Sequence, residues 1–153
     1  MLNRPSPRHA THRLAGDRGS ALMLMPAAVL IVLVLGAIAV DLSVVHLAHR
    51  DLVDVAASAA NDAATDGLDP DTFHRTGRYE LDQTRATAAV ERSLTVHQLA
   101  GRATIVRVVQ GPGPDQVTVE LEVPVDYLFA KALPGANHGT TVRAHATATA
   151  AER

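Results

Sequence analysis

The chain has 153 residues, a formal net charge of -2, 47% hydrophobic residues and no cysteine. This length has room for one small domain, and the lack of cysteine excludes disulfides and thiolate metal sites. Because no basic run follows the first eighteen residues, the charge pattern gives no footprint for nucleic acid.

The uncharged segment from Ala21 to Val40 is long enough to cross a membrane. Its twenty residues would form a helix of roughly 30 Å, the thickness of the hydrocarbon core of a bilayer. Eleven of them are Leu, Ile or Val, which favour insertion. We expect a transmembrane helix at residues 20–40, kinked at its early proline. The anchor residues expected to contact membrane lipid are Ala21, Leu22, Pro26, Leu30, Leu33, Gly36 and Val40.

Charge flanking this segment predicts its orientation. Four arginines precede it, the last being Arg18, whereas Arg50 is the one cation in the fifteen residues that follow. The positive-inside bias then places residues 1–19 in the cytoplasm and residues 41–153 outside the cytoplasmic membrane. An alternative is a cleaved signal peptide, because Ala37-Ile38-Ala39 has the pattern of a cleavage site. Cleavage after Ala39 would release a secreted soluble binding module, but the apolar run exceeds the usual length of about 7–15 residues.

The helix is expected to continue beyond the membrane over residues 41–66, where the sequence contains neither Gly nor Pro. Apolar and alanine side chains recur there at three- and four-residue spacing, which is typical of a helix with one packed face. This stripe contains Leu42, Val45, His49, Leu52, Val55, Ala56, Ala59 and Ala63, and the predicted packing face consists of Leu42, Val45, Leu52, Ala56, Ala59 and Ala63.

The sequence that follows residue 66 predicts two further helices. Asp69-Pro70 and Gly77 fit the start and end of a short helical turn. Asp82 fits the N-cap of a second, longer helix at residues 82–100, which Gly101 would end. Its expected inward side chains are Ala86, Ala89, Val90, Ser93 and Leu94.

Three strands are expected after these helices. Residues 103–123 contain two β-rich runs around a Gly-Pro turn and predict a hairpin, and residues 140–150 alternate alanine with polar side chains. In the connection between them, a helical turn containing Tyr127, Leu128, Phe129 and Leu133 is expected beneath the sheet. The expected fold class is α+β, a long N-terminal transmembrane helix continuing into a small domain with a second helix and a three-stranded, largely antiparallel sheet.

No pattern in the sequence indicates catalysis, a cofactor or a metal site. His46 and His49 are three residues apart but lack a partner at metal-ligand spacing. The aspartates at 51, 54 and 62 fall on the polar face of the helix, and Ser58 and Ser93 belong to no nucleophile motif. We therefore expect a protein that is not an enzyme and has no small-molecule substrate.

The order of these features resembles the TadE/TadG-like proteins of Flp (tight adherence) pilus systems. The matching features are Arg18-Gly19, the early Pro26, Asp41 closing the apolar helix, and "AHRDLVDVAASAANDAA", which contains Arg50 and Asp62. The resemblance implies a pilin-like fold and a membrane-anchored structural or assembly component whose partners are other pilus or secretion-system membrane proteins. Leu24 stands where many such pilins carry glutamate, which favours an anchored accessory subunit over a filament subunit. An anchored envelope sensor or binding protein is the other alternative.

Overall fold

The computed structural model describes residues 17–113, 115–132 and 134–150, with the backbone alone at residues 17–23 and Pro70. The chain divides into two compact units, Met1–Gly36 and Ala37–Arg153. Most of the predicted cytoplasmic segment 1–19 and Leu133 lie outside the described residues.

The first helix, α1, runs from Asp17 to Gly67. Pro26 lies inside this helix, and the helix continues on both sides of it. The prediction of one long helix through the apolar segment and beyond it is confirmed. In the first unit its described large side chains are exposed, from 50% at Val34 to 71% at Met25.

The next two helices begin at the predicted aspartate caps. Helix α2 spans Pro70–Thr76, and the Asp69 carboxylate accepts hydrogen bonds from the Asp71 N–H at 3.1 Å and the Thr72 hydroxyl at 2.6 Å. Helix α3 spans Gln83–Val96, and the Asp82 carboxylate accepts from the two N–H groups at residues 84 and 85. These bonds satisfy N–H groups that have no partner within the helix.

The C-terminal end of α3 differs from the prediction. The helix ends at Val96 rather than near residue 100, because Gln98 adopts a left-handed conformation with φ of 58°. The Leu99 N–H then donates to the Leu94 carbonyl at 2.8 Å, and the Gln98 N–H to that of Thr95 at 3.1 Å. This pair of bonds is a Schellman motif, in which glycine usually holds the position that Gln98 occupies.

The sheet is an antiparallel meander in the order β1-β2-β3. Strands β1, β2 and β3 span Thr104–Gln110, Gln116–Asp126 and Gly139–Thr149. The central strand is longer than predicted, since it continues through Pro124. Strand β1 begins at Thr104, opposite Glu122, so Pro124 lies beyond β1 and β2 is an edge strand there, where a proline costs the sheet little.

One cluster of buried side chains joins α1, α3 and the three strands. Val117, Val119 and Leu121 of β2 are fully buried, and the five predicted inward residues of α3 are all buried. The connection after β2 differs from the prediction. It contains a short 3₁₀ turn at Ala130–Ala132, but Leu128 and Phe129 are 51% and 50% exposed rather than packed beneath the sheet.

Candidate functional site

The predicted anchor lies on the exposed part of α1. Leu30 and Leu33 are 62% and 64% exposed, and Val40, in the second unit, is 41% exposed. Apart from its chain neighbours and the nearby backbone of its own helix, no described atom lies within 4 Å of the position that a Cβ would take at Gly36. For Arg18, Gly19, Ala21 and Leu22 the structure describes the backbone alone, as part of α1. Within the described part of the chain, one helix, near the N-terminus, is long and apolar enough to cross a membrane.

The predicted packing face is fully buried from Leu52 onward, about three turns after the apolar segment. Leu52, Ala56, Ala59 and Ala63 have at most 1% of their surface exposed. Val45 is partly buried against the same cluster. Leu42 departs from the prediction with 64% exposure, because the side chain that turns inward at this level is that of its neighbour Asp41.

Val55, which belongs to the predicted stripe, is 6% exposed. The stripe missed two members of the buried face, Ala60 and Ala64, which are 0% and 2% exposed. The adjacent pairs Ala59-Ala60 and Ala63-Ala64 both face the core. The buried face of α1 is therefore wider than the stripe predicted from the residue spacing. Ala60 and Ala64 are both small and apolar, but the predicted stripe was too narrow to include them.

Small side chains allow α1 and α3 to approach closely. Gly67, the last residue of α1, is buried, and a Cβ there would lie 2.6 Å from the Ala86 Cβ and 2.9 Å from its Cα. The Gly67 carbonyl accepts a hydrogen bond from the Asp82 N–H at 2.8 Å. The end of α1 is thus fixed directly to the start of α3.

Asp41 is the central polar residue of the junction between α1 and the sheet. Its side chain is 7% exposed. One carboxylate oxygen accepts from the N–H groups of Leu128 at 2.7 Å and Phe129 at 3.0 Å, and the other accepts from Ala130 at 2.9 Å. We call residues 127–132 the capping loop, because three of its successive N–H groups cover this one carboxylate.

These hydrogen bonds make Asp41 a stronger acid than an ordinary aspartate. Burial opposes its ionisation, but the N–H groups of Phe129, Ala130 and Leu128, together with the positive charge of Lys131, outweigh this effect and lower its pKa below the usual 3.8. The lowered pKa keeps Asp41 ionised at neutral pH. The sequence placed it at the end of the apolar helix as a family-motif match, while its partners are 87 to 89 residues away in the chain.

The other two family-motif residues of the second unit are on the surface. Arg50 and Asp62 are both exposed, so neither contributes to the core. Asp62 lines an open groove of about 480 Å³ along α1 and α3. The hydroxyl of Ser58 lies there 3.4 Å from His97 Nε2 and 3.5 Å from the Ser93 hydroxyl.

This groove brings Ser58 and Ser93 together with a histidine, which the sequence pattern did not indicate. A serine nucleophile also needs a carboxylate that orients the histidine. Asp66, which lines the same groove, is instead paired with Arg92 at 2.7 Å. The Ser58–His97 contact is therefore part of a polar groove and lacks the carboxylate–histidine pair that acyl transfer by a serine requires.

The histidines predicted as weak metal-ligand candidates, His46 and His49, are exposed. Among the residues that the structure describes, no group of three or more His, Asp or Glu side chains is arranged to hold a metal ion. The features with defined geometry are therefore the exposed apolar helix, its buried continuation and the capped Asp41.

Comparison with protein-family models, curated proteins and solved structures gives no match.

Proposed function

We propose that this chain is a non-enzymatic, single-pass, membrane-anchored structural or assembly component of a Flp/Tad-type pilus or secretion apparatus. Its N-terminus would be cytoplasmic, and its second unit would be displayed outside the cytoplasmic membrane. The observation that carries the anchor is the continuity of α1, which passes from exposed leucines and valines into the buried face of the domain.

Continuity favours a retained anchor over a cleaved signal. Ala39 lies within α1, and its carbonyl accepts a hydrogen bond from the Ser43 hydroxyl at 2.7 Å. Two residues later, Asp41 is fixed by three hydrogen bonds to the capping loop. The site of the proposed cleavage is therefore part of a regular helix directly attached to the folded domain.

The assignment to a pilus or secretion system rests on the family resemblance in the helical segment. It is consistent with the polar surface of α1, where Arg50, Asp51 and Asp54 are exposed. Such a surface is available to other envelope proteins. The groove of Ser58 and His97 lacks an oriented catalytic group, which supports a structural role over an enzymatic one.

A released binding module is the second candidate, and one observation favours it. The buried residues of the second unit begin at Asp41, so a chain starting at Val40 would keep every group of the core. N-terminal sequencing of the exported protein separates the two candidates. An intact apolar segment supports the anchor, and a start at Val40 supports release.

The experiment on function is deletion of the gene combined with affinity purification of the tagged protein from detergent-solubilised membranes. We expect loss of pilus assembly or adhesion and recovery of pilus or secretion-system components. A reporter that is active only outside the cytoplasm, fused after Arg153, should be active. Unchanged assembly and adhesion, with no such component recovered, would contradict the proposal.

A further inference from the structure

The capping loop carries two large apolar side chains that the domain does not bury. Leu128 and Phe129 are adjacent and about half exposed. The buried core consists mainly of smaller alanine and valine side chains. Tyr127 beside them is half-buried and Lys131 is exposed. The loop thus combines two exposed apolar groups, an aromatic ring and a positive charge.

The position of this loop is fixed by Asp41. The N–H groups of residues 128–130 lie 2.7 to 3.0 Å from its carboxylate. Asp41 directly follows Val40, the last residue of the uncharged segment. The backbone of the loop is therefore held beside the boundary of that segment, where Ile38 and Val40 at its end and Leu42 after it are 41% to 64% exposed.

This level of α1 corresponds to the headgroup layer of a membrane if the segment spans the bilayer. The polar layers add about 5–7 Å on each side of a hydrocarbon core of about 30 Å. One helical turn advances about 5.4 Å, so Asp41 and the groups bonded to it lie within this layer. Aromatic side chains at an interface and cations near lipid phosphates are the usual composition of such a contact.

We propose that the capping loop is a second membrane contact, in which Leu128 and Phe129 insert into the outer interface of the bilayer that α1 spans. This inference rests on the proposed anchor. Its occupant is lipid, because the loop that carries these exposed apolar side chains is bonded to Asp41, the residue that directly follows the uncharged segment. The loop would then fix the orientation of the domain on the membrane, which a single helix leaves free to rotate about its axis.

The chain contains no tryptophan, so single substitutions provide a site-specific probe. Three full-length variants are reconstituted in phosphatidylcholine vesicles with and without lipids brominated on the acyl chain. Phe129→Trp tests the loop, and Leu33→Trp reports the anchor. Val96→Trp is the matched control, because Val96 is 79% exposed next to His97, whose ring contacts Ser58. Ser58 is roughly 25 Å beyond Asp41 along the helix.

We expect the brominated lipids to quench most of the emission of the variants at residues 33 and 129 and to leave the variant at residue 96 unchanged. The emission of Phe129→Trp should also shift to shorter wavelength in vesicles. Quenching at residue 33 without quenching at residue 129 would overturn the loop contact and leave the anchor in place. Absence of quenching at residue 33 would overturn the anchor itself, and with it the contact.

Discussion

Replacing Gly67 by alanine tests whether α1 and α3 are as close as the structure places them. The new Cβ would lie 2.6 Å from the Cβ and 2.9 Å from the Cα of Ala86, and neither atom can move without its backbone. Overpacking of this kind costs about 1–3 kcal/mol. Inside a helix, alanine is more favourable than glycine by ~1 kcal/mol of helix propensity. At position 67 this gain is smaller, because Gly67 is the last residue of α1.

We therefore expect Gly67→Ala to lower the free energy of unfolding by about 1–2 kcal/mol, which for a domain of this size lowers Tm by at least about 4 °C. The assay is thermal unfolding of the full chain in detergent, followed by circular dichroism. Gly36→Ala is the control, since no atom lies within 4 Å of its Cβ position. Adding Ala86→Gly to Gly67→Ala should recover part of the loss. A Gly67→Ala protein as stable as the unmodified chain would refute the close contact.

Three further substitutions test the core, the end of α3 and the capping loop. Leu121→Ala should destabilise the domain by about 2–5 kcal/mol in denaturant unfolding, because Leu121 is fully buried, whereas Val106→Ala on the exposed side of β1 should cost far less. Gln98→Gly should stabilise it by about 1 kcal/mol, since Gln98 is left-handed, and Gln98→Ala should give no such gain. Asp41→Asn should destabilise the domain at neutral pH. The pKa of folded Asp41 is lowered from 3.8, so its stabilisation is present above that value and is lost as the pH falls through the folded pKa. The stability difference between the two proteins should then shrink in acid, and a difference independent of pH would contradict the role of the charge.

The sequence predicted those elements whose signals are local. Asp69 and Asp82 each precede a helix by one residue, and their carboxylates bond N–H groups two or three residues away. The alternation of Val117, Val119 and Leu121 requires only that one face of a strand be buried. Each of these patterns is contained in a few consecutive residues, so no knowledge of the rest of the fold was needed.

The predictions that were wrong depended on groups far apart in the chain or on a rare backbone conformation. Gly101 was expected to end α3, because the left-handed position of a helix end is usually glycine, yet Gln98 takes it. Leu128 and Phe129 were assigned to the core from their hydrophobicity alone. Their exposure follows from the bonds between their N–H groups and Asp41, which no local pattern encodes.

The separation in sequence between Asp41 and the capping loop also determines when the domain can finish folding. If α1 spans the membrane with its N-terminus in the cytoplasm, Asp41 emerges before the loop that caps it, which follows 87 to 89 residues later. Closing so long a loop requires most of the chain to be present, and contacts of this kind form slowly. Strand β3, which follows the capping loop, completes the sheet last. In that orientation the carboxylate would stay hydrated until residues 128–130 have crossed the membrane, so its capping would be a late step in the folding of the domain.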